Sequence, residues 1–207
     1  VAISMVVLVL FLYVFRREVF YDNRRVLLIL LTVYIMTLLT ATVIRFNTNL
    51  LYLIPVCIVP LVIRAFFDSR LALYIHNITI ILVGFLIPRS FEFVFIQFIA
   101  GIVAILSMVS LRRRSQLFAT VMLIFLMYAA VYLGLSLAHS GSTAFLRWSD
   151  LAYFLGAASL TLLTYPIIYL YERLFGLPTD FSLLELSDTN NELLRQLGQQ
   201  APGTFQH

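Results

Sequence analysis

The chain has 207 residues, 62% of them hydrophobic and 12% charged, with a formal net charge of +4. A soluble domain carries roughly half apolar and about a quarter charged residues, so a single water-soluble core is excluded and a lipid-embedded chain is implied. All of the positive charge is arginine, because no lysine occurs; a retinal Schiff base, which needs a lysine amine, is excluded with it.

Seven apolar runs follow one another: about 1–15, 26–44, 50–67, 71–87, 92–111, 117–138 and 151–171. A crossing helix needs about 20 apolar residues. The first run falls short and begins at Val1 without a basic leader, so further residues are expected before it. The runs predict helices, since lipid offers no partner to backbone polar groups and period-two alternation is missing from stretches such as Val26–Leu31 and Val121–Met127. The expected fold class is therefore an all-α membrane protein. It comprises a seven-transmembrane helix bundle over 1–175 and a short cytoplasmic helical connector over 176–207. Pro55, Pro60 and Pro166 should bend the third and seventh spans. Ala100 with Ala104, Ala130 with Gly134 and Ala138, and Ala152 with Gly156 should pack helices together inside one chain, with a homodimer face as the alternative. Cys57 lies in an apolar run and reads as packing.

The loops set a direction. Arg16, Arg17, Arg24, Arg25, Arg64, Arg70, Arg112, Arg113, Arg114 and Arg173 fall on one side, and Arg45, Arg89 and Arg147 on the other. The richer side is expected to be cytoplasmic, which puts the N-terminus outside and the C-terminus inside the cytoplasmic membrane. Scattered over loops, these arginines form no basic stripe, and no nucleic-acid partner is implied.

Few polar groups fall at membrane depth, where an ionisable residue is a functional candidate. His76 and Asn77 in the fourth span and Gln97 in the fifth form a candidate intramembrane polar site, with interhelical hydrogen bonding as the plainer use. Glu92, Asp150 and Arg147 mark the outer face, where Glu92 and Asp150 are expected to be solvated helix ends. Thr32, Thr37, Thr40 and Thr42 should bond back to their own helix. Zinc-protease and serine-hydrolase motifs do not occur, and no span has a carboxylate near its middle, which weakens a proton-coupled carrier.

Beyond Tyr171 the composition turns polar. Gly176 and Pro178 should end the seventh span and form a signalling joint. Thr179 can cap a helix over 180–186, Asp188 a second carrying Leu193, Leu194 and Leu197, and Thr204 a third that is barely begun at His207. A removed domain is expected to follow. The words Tyr171-Glu172-Arg173-Leu174-Phe175-Gly176, Leu184-Glu185-Leu186-Ser187-Asp188, Leu193-Leu194-Arg195 and Ala201-Pro202-Gly203-Thr204-Phe205-Gln206-His207 resemble the connector of the bacterial seven-transmembrane-receptor HD-hydrolase family, the PgpH-type cyclic-di-AMP phosphodiesterases. Phe205-Gln206 stand where that family often has a tyrosine-histidine pair. The resemblance implies an outer sensor domain, seven spans, this connector and a cytoplasmic HD domain. It also implies that His207 is the first ligand of a site for two divalent metals, iron or manganese. The chain itself would then hold no catalytic residue and no cofactor. It would pass a signal from sensor to phosphodiesterase, with the bilayer and its own flanking domains as partners. Two other readings stay open: a small-molecule or ion carrier or channel, and the membrane region of a sensor kinase with His207 as phospho-acceptor.

Overall fold

The computed structural model describes residues 2–87, 90–109, 116–140 and 148–179. The described residues are helical: α1 Ala2–Phe15, α2 Arg17–Phe20, α3 Asn23–Phe46, a 3-10 helix Thr48–Leu53, α4 Ile58–Phe66, α5 Ser69–Gly84, α6 Ser90–Val109, α7 Gln116–Ser140, α8 Trp148–Leu160, a 3-10 turn Thr161–Leu163 and α9 Thr164–Phe175. Four stretches are long and apolar enough to cross a bilayer: Asn23–Phe46, Ser90–Met108, Phe118–Ala138 and Trp148–Phe175. Val6–Phe15, Leu50–Phe66 and Ser69–Gly84 are apolar but shorter. Seven apolar segments are thus present, while length alone supports four as spans.

The loops explain where helices begin. Asp22 accepts the Arg24 backbone N–H at 3.0 Å and caps α3. Thr32, Thr37, Thr40 and Thr42 each donate to the carbonyl four residues back, as their positions predicted. The four-residue α2 was not foreseen; it turns the chain between α1 and α3.

The third segment is not one helix over 50–67. The 3-10 helix Thr48–Leu53 ends before Pro55, and α4 starts at Ile58. Pro60 then occupies the first turn of α4, where no intrahelical N–H is required. Tight turns recover the freed groups: the Val56 N–H donates to the Ile54 carbonyl at 2.9 Å and the Ile58 N–H to the Pro55 carbonyl at 3.0 Å. Irregular backbone at this depth has to be enclosed by protein, and residues from Ile54 through Ile63 are buried. The seventh segment is interrupted more mildly, by a tightened turn in a backbone that stays helical. Pro166 lies in the first turn of α9, and the 3-10 turn Thr161–Leu163 precedes it, so the break falls one turn ahead of the proline.

The two broken segments run alongside each other, the 3-10 helix on α8 and α4 on α9. Gly156 of α8 makes the approach close: a Cβ there would lie 2.5 Å from Leu53 Cδ1. Beside the breaks, facing α3, lies an apolar cavity of about 430 Å³ bordered by Met36, Leu53, Pro55, Leu163 and Ile167. Ala100 and Ala104 are buried in the helix contacts of α6. Ala130, Gly134 and Ala138 are exposed instead, because α7 buries its other face through Ile124 and Tyr128. The α7 stripe therefore does not make the in-chain packing expected of it.

Candidate functional site

The polar groups at depth assemble into one chain across four elements. His76 of α5 donates through Nε2 to the Gln97 backbone carbonyl at 2.9 Å. A carbonyl only accepts, so Nε2 carries the proton and Nδ1 is left as an acceptor. The Tyr128 hydroxyl of α7 donates to Gln97 Oε1 at 2.8 Å. Having one hydrogen, it accepts from the Cys57 thiol, 3.1 Å away. His76, Gln97, Tyr128 and Cys57 are all fully buried.

Local sequence explains the geometry. Gly101 stands one turn after Gln97, and a Cβ there would overlap the His76 ring. The glycine lets the imidazole dock on the α6 backbone. Cys57 reaches Tyr128 because it is the N-cap residue of α4, at the break itself. Tyr128 also stacks on Phe154 of α8 at 5.2 Å between centroids, which ties the polar chain to the seventh segment. His76 Nδ1 and Gln97 Nε2 are buried without a partner among the described residues. One acceptor and one donor group thus remain available to a water or to a polar ligand atom. The thiol faces a phenol rather than a base, so it is not an activated nucleophile.

Asn77 does not join this chain. It follows His76 on α5 but turns toward α1, into a cleft with Arg16 and Arg70. Asp150 corrects the solvated-end reading: it is 7% exposed and accepts the Tyr132 hydroxyl at 2.8 Å, one turn along α7 from Tyr128. Glu92 is exposed in the first turn of α6. Arg89, Arg147, the Arg112–Arg114 run, the three predicted connector helices and His207 lie outside the described residues. Sequence reasoning passed over Tyr128 and Gly101 and read Cys57 as packing. A tyrosine deep in an apolar run is the signal that could have found the first, since a buried hydroxyl needs a partner.

The joint is tied on both sides. Gly176 ends α9 in the left-handed conformation, φ 64°, and its N–H donates to the Glu172 carbonyl at 2.9 Å. Arg24 of α3 reaches the Phe175 carbonyl at 3.5 Å. Past Pro178, the Thr179 N–H donates to Glu172 Oε1 at 3.1 Å, and the Thr179 hydroxyl bonds the same oxygen. The segment leaving α9 is therefore held back against the helix it came from. No group of three or more potential metal ligands occurs among the described residues, so they do not fit a two-metal site.

Apolar helices whose buried polar groups pair with one another, closed at one end by arginines, define a polytopic α-helical membrane protein. Residues 1–179 match the family described as 7TM receptor with intracellular HD hydrolase, and the chain belongs to that family. It is the membrane region of an HD-hydrolase receptor. A curated relative, the cyclic-di-AMP phosphodiesterase PgpH of Listeria monocytogenes serotype 1/2a, is 26% identical over 193 residues. That alignment takes in 87% of this chain but 26% of the relative, so the chain spans about a quarter of the relative's length. No solved structure matches the chain.

Proposed function

We propose that this chain is the transmembrane signalling module of a bacterial receptor-type HD phosphohydrolase. In this reading it crosses the cytoplasmic membrane seven times with its N-terminus outside. It transmits the state of an outer sensor domain to a cytoplasmic domain that hydrolyses cyclic di-AMP. The relative's activity supports the substrate, and the division of arginines between alternate loops supports the direction. The divalent metals of such a reaction belong to the HD domain, where His207 would be a ligand.

The observation that carries the reading is the tied joint. A flexible linker would lose any shift of α9, whereas Glu172 holds Thr179 and Arg24 holds the α9 terminus against α3. A rotation of the seventh segment is then carried past Gly176 into the connector. The test uses the full-length protein, with a Gly/Ser segment inserted after Leu177. Cyclic-di-AMP hydrolysis is followed with and without the sensor domain. Deleting the sensor should change the rate in the uninserted protein and leave it unchanged once the insert is present. A sensor effect of equal size in both proteins contradicts transmission through this joint.

A further inference from the structure

α1 is thinly seated against the bundle. From Val6 to Phe15 only Leu8 and Leu12 are buried. Phe11 stacks on Tyr74 of α5, and Arg16 pairs with Asp68 just before α5. Between α1 and α5 this leaves a cleft of about 520 Å³, open at the arginine-rich end. Its mouth carries two cations. Arg70 is exposed and makes no hydrogen bond or ion pair with a described residue. Arg16 gives one edge to Asp68, and a guanidinium has five N–H donors, so it keeps others to offer. The walls below are Phe11, Phe15, Leu73 and Tyr74. Deeper still is Asn77, whose Oδ1 is buried without a partner. Asn77 lies seven residues past Arg70 on the same helix, about 10 Å down the axis.

A soluble anion would use the mouth and waste the walls. A neutral hydrocarbon would use the walls and leave Arg70 and Asn77 unmet. We propose that this cleft binds an anionic phospholipid of the adjoining leaflet. Its phosphate lies between Arg70 and Arg16, its ester region comes within reach of the Asn77 amide, and one acyl chain lies along Phe11 and Phe15. Charge complementarity selects the head group, since a choline group would meet Arg70 with like charge. The lipid bridges α1 to α5 and supplements the Arg16–Asp68 pair. The site rests on the chain's membrane character and on these residues, and it stands whichever side of the membrane the arginine-rich end faces.

The test is native mass spectrometry of the protein with equimolar phosphatidylglycerol and phosphatidylcholine. The unmodified protein should retain phosphatidylglycerol preferentially. Arg70→Gln should reduce that preference about fivefold, the share of one interfacial arginine. Arg70→Lys should keep most of it, and Arg45→Gln, at the opposite end of α3, should leave it unchanged. A large excess of inorganic phosphate should not displace the lipid, because phosphate makes no use of the aromatic walls. No preference in the unmodified protein overturns the proposal without any variant. Equal losses in Arg70→Gln and Arg45→Gln reduce it to general surface charge, and displacement by phosphate assigns the cleft to a soluble anion.

Discussion

α3 and α7 run unbroken for 24 and 25 residues, while the third segment is cut in two and the seventh is interrupted by a 3-10 turn. Both unbroken helices keep an outward apolar face, which on α3 carries Leu27, Tyr34 and Leu38. α7 turns Phe118, Met122, Leu126 and Leu137 outward and buries little more than the face carrying Ile124 and Tyr128. The broken pair lies against itself, Gly156 against Leu53, with the third break almost wholly enclosed. The difference follows from where backbone groups can find partners. A helix facing lipid must satisfy every N–H and C=O internally, so it stays regular. A segment surrounded by protein can give up part of its ladder, because tight turns and neighbouring side chains take the freed groups. The polar chain sits at the same place: Cys57 stands at the α4 break and reaches α6 through Tyr128.

Substituting glycines on the two kinds of surface should separate them most strongly. Gly101→Val forces a side chain into the His76 ring against the α6 backbone and should cost about 3 kcal/mol, the upper end for overpacking. Gly134→Val on the outer face of α7, with nothing within 4 Å, should stay within about 0.5 kcal/mol. Reversible unfolding in mixed micelles measures both, and equal costs would break the comparison. Gly156→Val should fall between, at about 1–2 kcal/mol, because the end of Leu53 can swing aside.

Much of this was legible from residue order. Runs of apolar residues placed every described helix but α2, and the prolines marked both broken segments. The proline rule alone could not give the exact break positions. Pro60 and Pro166 each sit in the first turn of the new helix, so the irregular backbone precedes them. His76 and Gln97 stood out because polar groups at depth are rare. Asn77 was grouped with them by adjacency, yet consecutive residues on a helix point about 100° apart. Asp150 looked like a solvated end because the sequence does not show that Tyr132 faces it. Neither Gly101 nor Cys57 carried a signal without knowing which helices touch.

A smaller effect tests the polar chain. Tyr128→Phe removes the donor to Gln97 Oε1 and the acceptor for the Cys57 thiol while keeping the ring on Phe154. Buried hydrogen bonds in membrane proteins average about 0.6 kcal/mol, so roughly 1 kcal/mol is expected for the two together. A double-mutant cycle with Gln97→Leu should show coupling of the same order; additive losses would mean that the two side chains do not act through one bond. Smallest of all, Pro166→Ala returns one N–H to α9 at an exposed position, and it should shift stability by less than about 1 kcal/mol. A large gain would mean that the proline strains an otherwise continuous helix.

The central claim is that the three shorter apolar segments, the broken third among them, cross the membrane as the four long ones do, giving seven crossings with the joint on the arginine-rich side. The most direct measurement is labelling of single cysteines in sealed vesicles of known orientation. The background is Cys57→Ser, which keeps a hydroxyl for Tyr128, and the probes are Thr48→Cys and Ser69→Cys, beyond the two ends of the third segment. The account predicts that Thr48→Cys labels from outside only and Ser69→Cys from the cytoplasmic side only. Labelling of both from the same face would make the third segment a re-entrant hairpin and contradict the seven-crossing arrangement.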